Sequence, residues 1–177
     1  MFIPLLGEMT SDARYDDSLC SAPFAVNMLE GRPLRFVVDG YEQDENPQDF
    51  DTAVANFLRL DANALKAAEP FVFHYYQDMN DNWDPSEEEY LSIDTPADVW
   101  EHIKFTTEAT VSRRAYGDEG VYIVIGGECA WEVEHGLQIV FRNGKTVCRV
   151  SAYDGHLTNA DAYANPQLEQ LVYRAWA

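Results

Sequence analysis

The pattern of apolar and polar positions predicts a helix near the middle of the chain. Apolar residues recur there at intervals of three and four, the spacing that places them on one helix face. We expect this face to pack against a core. Pro47 precedes the face, which consists of Phe50, Val54, Phe57 and Leu58.

A second helix is predicted almost immediately afterwards. Asp61 can cap its first turn, because a side-chain oxygen at that position accepts a hydrogen bond from a free backbone amide. An apolar stripe then continues from Leu65 to Met79, but Pro70 has no amide proton and clashes with the preceding turn. We therefore expect a kink or a break near Glu69.

Two shorter helices are expected further along the chain. Thr95 and Pro96 are typical of a helix start, and Asp98 adds negative charge at the positive end of the helix dipole. Asn165 and Pro166 open a final helix near the end of the chain. Its apolar residues are Leu168, Leu171, Val172 and Trp176.

The remaining apolar segments are short and typical of strands. Residues 2–6 come first, and residues 21–28 and 34–40 flank a turn, which predicts a hairpin. Residues 106–116 and 121–125 follow the helical part of the chain. We expect these segments to contribute strands to a β-sheet.

The clearest hairpin lies at residues 137–150. Asn143 and Gly144 at its centre tolerate positive φ angles, so we predict a two-residue type I′ turn. A slip of one residue would turn the apolar side chains outward, so the pattern specifies the register. The predicted pairs are Phe141 with Thr146, Ile139 with Cys148, and Leu137 with Val150.

These elements predict an α+β fold, with an antiparallel β-sheet of about six strands and three or four helices packed on one face or end. The length of 177 residues lies within the range of one hydrophobic core. We therefore expect residues 1–177 to form a single α+β domain.

Charge adds a constraint on partners. The chain contains 12 Lys and Arg residues against 31 Asp and Glu residues, a formal net charge of −19 at pH 7. Such a surface repels phosphate backbones and anionic lipid headgroups, so we expect no nucleic acid and no membrane as a partner. Residues 1–89 carry −14 of this charge and residues 90–177 carry −5.

The sequence favours a cytoplasmic location. Its first residues lack the basic and apolar regions of a secretory signal, and no stretch approaches the ~18 apolar residues of a membrane span. Cys20, Cys129 and Cys148 are far apart and odd in number, which is typical of free thiols in a reducing compartment. We expect no cofactor.

The acidic residues of the first half suggest a surface that binds a basic protein. They concentrate in two segments that we interpret as solvated loops or helix starts. A negative field of this kind speeds the encounter with a positively charged partner. The candidate residues are Glu42, Asp44, Glu45 and Asp49 in the first segment, and Asp81, Asp84, Glu87, Glu88 and Glu89 in the second.

The second acidic segment also places oxygen-bearing side chains at the spacing of an EF-hand loop, from Asp78 to Glu89. However, Trp83 stands where that loop needs glycine, and Pro85 stands where its backbone pairs with a second loop. These departures favour a solvated connector over a calcium site, and we assign no metal.

Carboxylates and imidazoles gather at the open end of the C-terminal hairpin. Such groups can bind a metal or act as a general base, although no His-x-x-x-His or comparable ligand spacing occurs. We interpret them as a hydrogen-bonded polar cluster that fixes the strand ends, with a catalytic site as the alternative. The cluster consists of Glu132, Glu134, His135, Asp154 and His156.

Two segments resemble a bacterial family of unknown function. Residues 131–141 contain Glu-His-Gly-Leu, and residues 153–163 begin with Tyr-Asp-Gly-His-Leu-Thr. Related small domains are associated with immunity and toxin-neighbourhood proteins, so the resemblance implies an immunity-like protein. It also implies that the segments around Glu134 and Asp154 form one structural or recognition feature. It supplies no catalytic residue.

Two functions follow from these observations. The first is a non-enzymatic, immunity-like binding protein that recognises a basic protein partner through its acidic surface, for which a stable scaffold and a field of one sign suffice. The alternative is a small hydrolase or metal-dependent enzyme that uses the polar cluster. We favour the first, because the sequence contains no nucleophile elbow, phosphate-binding loop or dinucleotide fingerprint.

Overall fold

A seven-stranded β-sheet forms the centre of the computed structural model, which describes residues 1–15 and 18–175. The strands are β1 (Phe2–Ile3), β2 (Gly7–Glu8), β3 (Thr10–Ser11), β4 (Ser18–Val26), β5 (Arg32–Asp39), β6 (Ile103–Arg113), β7 (Val121–Cys129), β8 (Glu132–Arg142) and β9 (Thr146–Ser151). The helices are α1 (Gln48–Leu58), α2 (Ala62–Asn80) and α3 (Asn159–Ala162), with 3₁₀ helices at Asn27–Leu29, Pro96–His102 and Pro166–Leu168.

The main sheet has the strand order β3-β4-β5-β6-β7-β8-β9, and β1 and β2 form a separate two-stranded sheet. Neighbouring strands of the main sheet are antiparallel, except that β5 and β6 are parallel. The prediction of an α+β fold is confirmed, but the count of about six strands is wrong. β3 has two residues, and a segment of that length shows no alternation from which to predict a strand.

The long helices pack against one face of the sheet, which we call the inner face. Phe57 of α1 contacts Phe36 of β5 and Phe141 of β8 edge to face, with ring centroids 5.9 and 5.3 Å apart. Contacts of this geometry add to the free energy gained by burying the rings. The apolar face predicted for α1 is confirmed. The buried residues of this helix are Phe50, Ala53, Val54 and Phe57.

Helix α2 continues through Pro70, so of the predicted kink or break near Glu69 the break does not occur. Asp61 caps it as predicted, since its carboxylate accepts a hydrogen bond from the Asn63 amide at 2.9 Å. Ala68 and Val72 on either side of the proline are fully buried, whereas Pro70 itself is exposed. Packing of the neighbouring residues therefore stabilises the helix more than the missing amide destabilises it. None of the helices in the described residues is long and apolar enough to cross a membrane.

Two other predicted features near the helices are confirmed. β4 and β5 pair as an antiparallel hairpin, with the 3₁₀ helix Asn27–Leu29 between them. The short helix Pro96–His102 is of the 3₁₀ type. The Thr95 amide donates a hydrogen bond to the Asp98 carboxylate at 3.1 Å, so both predicted residues contribute to the helix start.

The predicted final helix is wrong, because its apolar positions do not form a helix face. Pro166–Leu168 makes a single 3₁₀ turn, and residues 169–175 are not helical. The Val172 carbonyl instead accepts a hydrogen bond from the Val150 amide of β9 at 2.9 Å. The open edge of β9 thus provides a partner for this backbone in place of a helix. Trp176, which the prediction included, lies outside the described residues.

The β8–β9 hairpin has the predicted turn but not the predicted register. Asn143 and Gly144 have φ angles of 51° and 64°, and the Lys145 amide donates to the Arg142 carbonyl at 3.0 Å, as a type I′ turn requires. Ladder pairing then begins with Arg142 opposite Thr146. The pairs predicted for a two-residue loop are therefore wrong.

An irregularity in β9 places Cys148 on the opposite face of the sheet, which we call the outer face. Phe141 pairs with Val147 and the preceding Val140 pairs with Arg149, so Cys148 is an extra residue in the ladder. Its side chain packs with Val140, away from the main core. A bulge of this kind shifts the alternation by one residue, so the predicted inner-face position of Cys148 is wrong.

Gly144 also allows α1 to approach the hairpin closely. A Cβ atom at this position would lie 2.0 Å from the Ala53 carbonyl oxygen. The Asn56 side-chain amide donates to the Asn143 carbonyl at 3.0 Å, which ties the helix to the same turn. Glycine therefore serves both the turn conformation and the packing of the helix.

We predict that Ile139→Ala lowers the free energy of unfolding by about 2–5 kcal/mol, because it leaves a cavity in the inner-face core. Val133→Ala in the same strand is the matched control, since Val133 is 86% exposed, and it should change stability by less than about 0.5 kcal/mol. Denaturant unfolding measures both variants. Equal effects would contradict the assignment of the inner face.

We predict that Gly144→Ala is more destabilising than Gly155→Ala. Both glycines have positive φ angles, so each variant carries backbone strain of about 1–2 kcal/mol. A Cβ atom at Gly155 meets nothing within 4 Å, whereas at Gly144 it meets the α1 backbone, which should add about 1–3 kcal/mol. Thermal unfolding compares the two, and indistinguishable losses would argue against the close approach of α1.

Candidate functional site

The outer face of the sheet contains a buried positive charge at Arg149. Its side chain is 2% exposed, and its guanidinium donates to the Asp154 carboxylate at 2.5 and 2.6 Å. It also donates to the His156 carbonyl at 2.7 Å and to the Asn159 side chain at 3.1 Å. A charge this deep destabilises the fold unless it is paired and hydrogen-bonded. The segment after β9 folds back onto the sheet and supplies these partners.

Asp154 is held as a counter-ion within this group. It also accepts hydrogen bonds from the Gln138 side-chain amide at 3.1 Å and from the His156 backbone amide at 3.0 Å. Burial raises the pKa of Asp154, but hydrogen bonds from Arg149 and from the His156 amide outweigh burial, so the pKa lies below its ordinary value. The carboxylate is therefore ionised at neutral pH and engaged on several sides.

The other half of the predicted polar cluster forms a separate turn. The Glu132 carboxylate accepts hydrogen bonds from the Glu134 and His135 amides at 2.9 and 3.1 Å, and it lies 3.6 Å from the His135 Nδ1 atom. The side chains of Glu134 and His135 are exposed. The Tyr153 amide donates to the His135 carbonyl at 3.3 Å, so the two halves meet through the backbone.

The structure thus brings the five predicted residues to one end of the hairpin but divides them into two groups. Within residues 1–15 and 18–175, no side-chain hydrogen bond or ion pair joins Glu132, Glu134 or His135 to Asp154 or His156. The described residues also include no group of three or more His, Cys, Asp or Glu side chains suited to a metal ion. This geometry favours a structural interpretation of the cluster.

The cysteine thiols near this end of the sheet are poor nucleophiles. Burial raises the pKa of Cys129 and that of Cys148 to about 12, so both thiols are protonated at neutral pH. All three cysteines, including Cys20, are buried and free.

A second buried ion-pair network on the outer face was not predicted from the sequence. Arg114, directly after β6, has a side chain that is 5% exposed. Its guanidinium donates to Asp161 at 2.7 and 2.9 Å and to Glu169 at 2.8 and 2.9 Å. Arg142 of β8 also donates to Glu169, at 2.5 Å. These partners are far apart in sequence, so no local spacing could indicate the network.

The first predicted acidic segment is partly neutralised by Arg113. Asp44 accepts hydrogen bonds from the Arg113 guanidinium at 2.6 and 2.9 Å, and its side chain is 10% exposed. These hydrogen bonds lower the pKa of Asp44. Asp49 pairs with the same guanidinium at 2.9 Å, while Glu42 and Glu45 are exposed. Asp44 is therefore not available to a partner.

The second acidic segment, residues 81–89, is exposed along its whole length and contains no basic residue. This segment directly follows α2. Helix α2 lies near the beginning of β8, since the hydroxyl of its Tyr75 donates a hydrogen bond to the Gly136 carbonyl at 2.9 Å. The first segment lies instead beside Arg113, at the end of β6. The two acidic segments therefore lie at opposite ends of the strands and do not form one surface.

The oxygen groups of the EF-hand-like spacing are engaged with different parts of the chain. The Asp78 carboxylate accepts a hydrogen bond from the Tyr173 hydroxyl at 2.5 Å. The Asn80 side-chain oxygen accepts one from the Leu91 amide at 2.9 Å. Asp84 accepts two from Ser86, at 2.6 and 3.0 Å. This arrangement is that of a structured connector.

We predict that Asp154→Asn lowers stability by about 1–3 kcal/mol at pH 7, because Arg149 loses its charged partner while solvent screens the 39% exposed Asp154 side chain. Glu134→Gln, an exposed carboxylate of the same predicted cluster, is the control and should change stability by less than about 0.5 kcal/mol.

The loss at Asp154 should also depend on pH with a defined sign. The folded-state pKa lies below the unfolded value of about 3.9, so the contribution is present above about pH 4 and is lost as the pH falls through the folded-state pKa. Urea unfolding at pH 7 and at pH 3 should therefore show a smaller gap between variant and parent at the lower pH. A gap that grows on acidification would contradict the role of Asp154 as an ionised partner.

Comparisons with known proteins place the chain in a family. No curated protein and no solved structure matches it. Residues 5–157 match the family described as Domain of unknown function (DUF6985). The match includes the Glu-His-Gly-Leu strand and ends within the Tyr-Asp-Gly-His-Leu-Thr segment. Because it spans most of the chain, the protein belongs to the DUF6985 family.

Proposed function

We propose that this domain is a non-enzymatic binding protein that recognises a basic protein partner through residues 81–89. The observation that carries the proposal is the exposure of five carboxylates in a segment without a single basic residue. Trp83 lies among them and is 42% exposed. Tryptophan side chains are frequent anchors of protein interfaces, because they combine a large apolar surface with few rotatable bonds. The carboxylates are those of Asp81, Asp84, Glu87, Glu88 and Glu89.

The base of this segment is held closed, which supports its use as a recognition loop. The Asn80 side-chain oxygen accepts a hydrogen bond from the Leu91 amide at 2.9 Å, and the Tyr76 hydroxyl donates one to the Leu91 carbonyl at 2.6 Å. The Ile93 amide donates to the same hydroxyl at 3.0 Å. A loop that is already ordered loses less conformational entropy when it binds.

Three of the arginines lie away from this segment and leave its charge unneutralised. Arg113, Arg114 and Arg149 are engaged by carboxylates within the fold, so these cations do not offset the charge of the exposed segment. A partner with a basic surface would be attracted to residues 81–89 over the range of the Debye length, about 10 Å at 0.1 M salt.

An immunity-like role in a bacterial cytoplasm fits the resemblance of the Glu-His-Gly-Leu and Tyr-Asp-Gly-His-Leu-Thr segments and the three free thiols. In such a role, the acidic loop would bind a basic toxin or enzyme. The hydrolase alternative gains no support from the divided polar cluster, because Glu132 and Asp154 already accept hydrogen bonds and lie in separate groups.

The experiment is capture of a partner from the source cell at low salt, followed by association kinetics with the purified partner. Replacing Glu87, Glu88 and Glu89 with Lys should slow association by about tenfold or more, because it reverses the local field. The matched control replaces the exposed residues Glu8, Glu30 and Glu134 with Lys, which changes the net charge equally but leaves the loop intact.

Raising the salt concentration to 1 M shortens the Debye length to about 3 Å and should slow association of the parent more than it speeds dissociation. Association that ignores salt, or that slows equally in the two triple variants, would rule out residues 81–89 as the recognition surface.

A further inference from the structure

Residues 160–170 form an acidic loop over the outer face of the sheet, which we call the strap. The family match ends at residue 157, so the strap lies beyond the part of the chain that defines the family. Its two acidic residues, Asp161 and Glu169, both contact Arg114. The strap therefore occupies a basic site on the sheet with its own carboxylates.

The two ends of the strap are fastened independently of these ion pairs. The Asn159 side chain donates to the Leu171 carbonyl at 2.7 Å, which closes the base of the loop. The Asn159 side-chain oxygen also accepts a hydrogen bond from the buried Arg149. The Val172 carbonyl accepts one from the Val150 amide of β9. Release of the strap between residues 160 and 170 would leave these anchors in place.

The strap itself buries little apolar surface. Within it, Ala160 is buried, and the other residues are intermediate or exposed. Regular structure is limited to part of the four-residue helix α3 and to the turn Pro166–Leu168. Segments with few buried apolar contacts and short backbone ladders open locally at lower free energy than the core. The strap is therefore held largely by polar contacts, namely the ion pairs with Arg114 and Arg142 and the Arg174 guanidinium, which lies 4.1 Å from the centroid of the Tyr163 ring.

The space beneath the strap is incompletely filled. A cleft of about 840 Å³ is lined by Arg114 and Arg142 from the sheet side and by Asp161 and Glu169 from the strap. The cleft is open to solvent, so it is a feature of the surface and not an interior void. No residue of the strap, which the structure describes throughout, belongs to the inner-face core, so the strap can separate from the sheet without opening that core.

Opening of the strap would change the sign of the charge at this site. Asp118 approaches Arg114 at 3.4 Å and Arg142 at 3.5 Å, and it belongs to the sheet side. With the strap released, two guanidinium groups would face one carboxylate, whereas the closed strap adds two further carboxylates. Guanidinium groups recognise carboxylates through paired hydrogen bonds, so the open site favours a carboxylate-bearing ligand.

We propose that the strap is an intramolecular pseudo-ligand that covers a binding site for an acidic polypeptide segment. The external segment would place carboxylates on Arg114 and Arg142, where Asp161 and Glu169 lie in the closed form. This site would bind an acidic ligand, whereas residues 81–89 would bind a basic one. Its partner is therefore distinct from the basic protein proposed above. The strap sets the apparent affinity, because a ligand must first displace it.

The test uses the full chain and a synthetic peptide with the sequence of residues 160–170. In the double variant D161N/E169Q, the strap keeps its length and anchors but loses its charged contacts. The peptide should bind this variant about tenfold or more tightly than it binds the parent, as measured by fluorescence anisotropy. A peptide carrying the same two neutral substitutions is the control ligand and should bind neither protein.

Hydrogen exchange of the same proteins measures opening directly. Amides of residues 160–170 should exchange about tenfold or more faster in D161N/E169Q than in the parent, while amides of β7 and β8 remain unchanged. Adding R142Q to the double variant should reduce binding of the charged peptide and leave strap exchange fast. If the double variant folds poorly, the single variant E169Q serves for both measurements.

Three results would overturn the proposal. Equal or undetectable binding of the charged peptide to parent and variant would show that the strap does not cover a site. Equal binding of the charged and neutral peptides would show that the arginines do not recognise carboxylates. Faster exchange throughout β7 and β8, or failure of E169Q to fold, would show that the strap is an inseparable part of the domain.

Discussion

Burial of arginine charge on the outer face of the sheet determines the path of the chain after β9. A guanidinium group stays protonated at any physiological pH, so it cannot escape burial by losing its charge. Arg149 and Arg114 must therefore be matched by acceptors, and the sheet itself supplies too few. Asp154, Asp161 and Glu169 come from the C-terminal part of the chain and meet this requirement.

The two faces of the sheet are consequently stabilised by different interactions. The inner face packs against α1 and α2 through aliphatic and aromatic side chains, among which Phe57 bridges β5 and β8. The outer face is covered by irregular backbone that is held by charged hydrogen bonds. Apolar packing tolerates small changes of geometry, whereas a buried ion pair strongly destabilises the fold if either partner is removed. The outer face thus specifies how the C-terminal segment lies.

Ion pairs within the fold also determine where unneutralised negative charge lies at the surface. Arg113 binds Asp44 and Asp49 at one end of the strands, which reduces the field of the first acidic segment. Residues 81–89 at the other end contain no cation and remain exposed. The result is an acidic loop beside α2 and a concealed pair of arginines beneath the strap. Most of the excess acid lies in the first half of the sequence, yet the two sites proposed above would have opposite charge preferences.

Local sequence pattern determines much of this structure without reference to long-range contacts. Alternation and helical spacing identified the β4–β5 hairpin, α1 and the cap of α2 at Asp61, because each depends on residues close in sequence. The type I′ turn at Asn143 and Gly144 followed from the positive φ angles that these residues tolerate. The positions of Glu132, Glu134, His135, Asp154 and His156 at one end of the hairpin were predicted for the same reason.

Tertiary structure decided the features that depend on distant partners. The bulge at Cys148 allows Arg149 to turn outward beneath Asp154 and Asn159, and no periodicity signals an inserted residue. α2 continues through Pro70 because the residues beside it are buried, and burial is a property of the assembled core. Residues 166–175 do not form the predicted helix, because the Val172 carbonyl accepts a hydrogen bond from the Val150 amide of β9. Sequence alone thus determined the local elements, whereas pairing between distant charges and open strand edges decided the register, the C-terminal path and the surfaces left to bind.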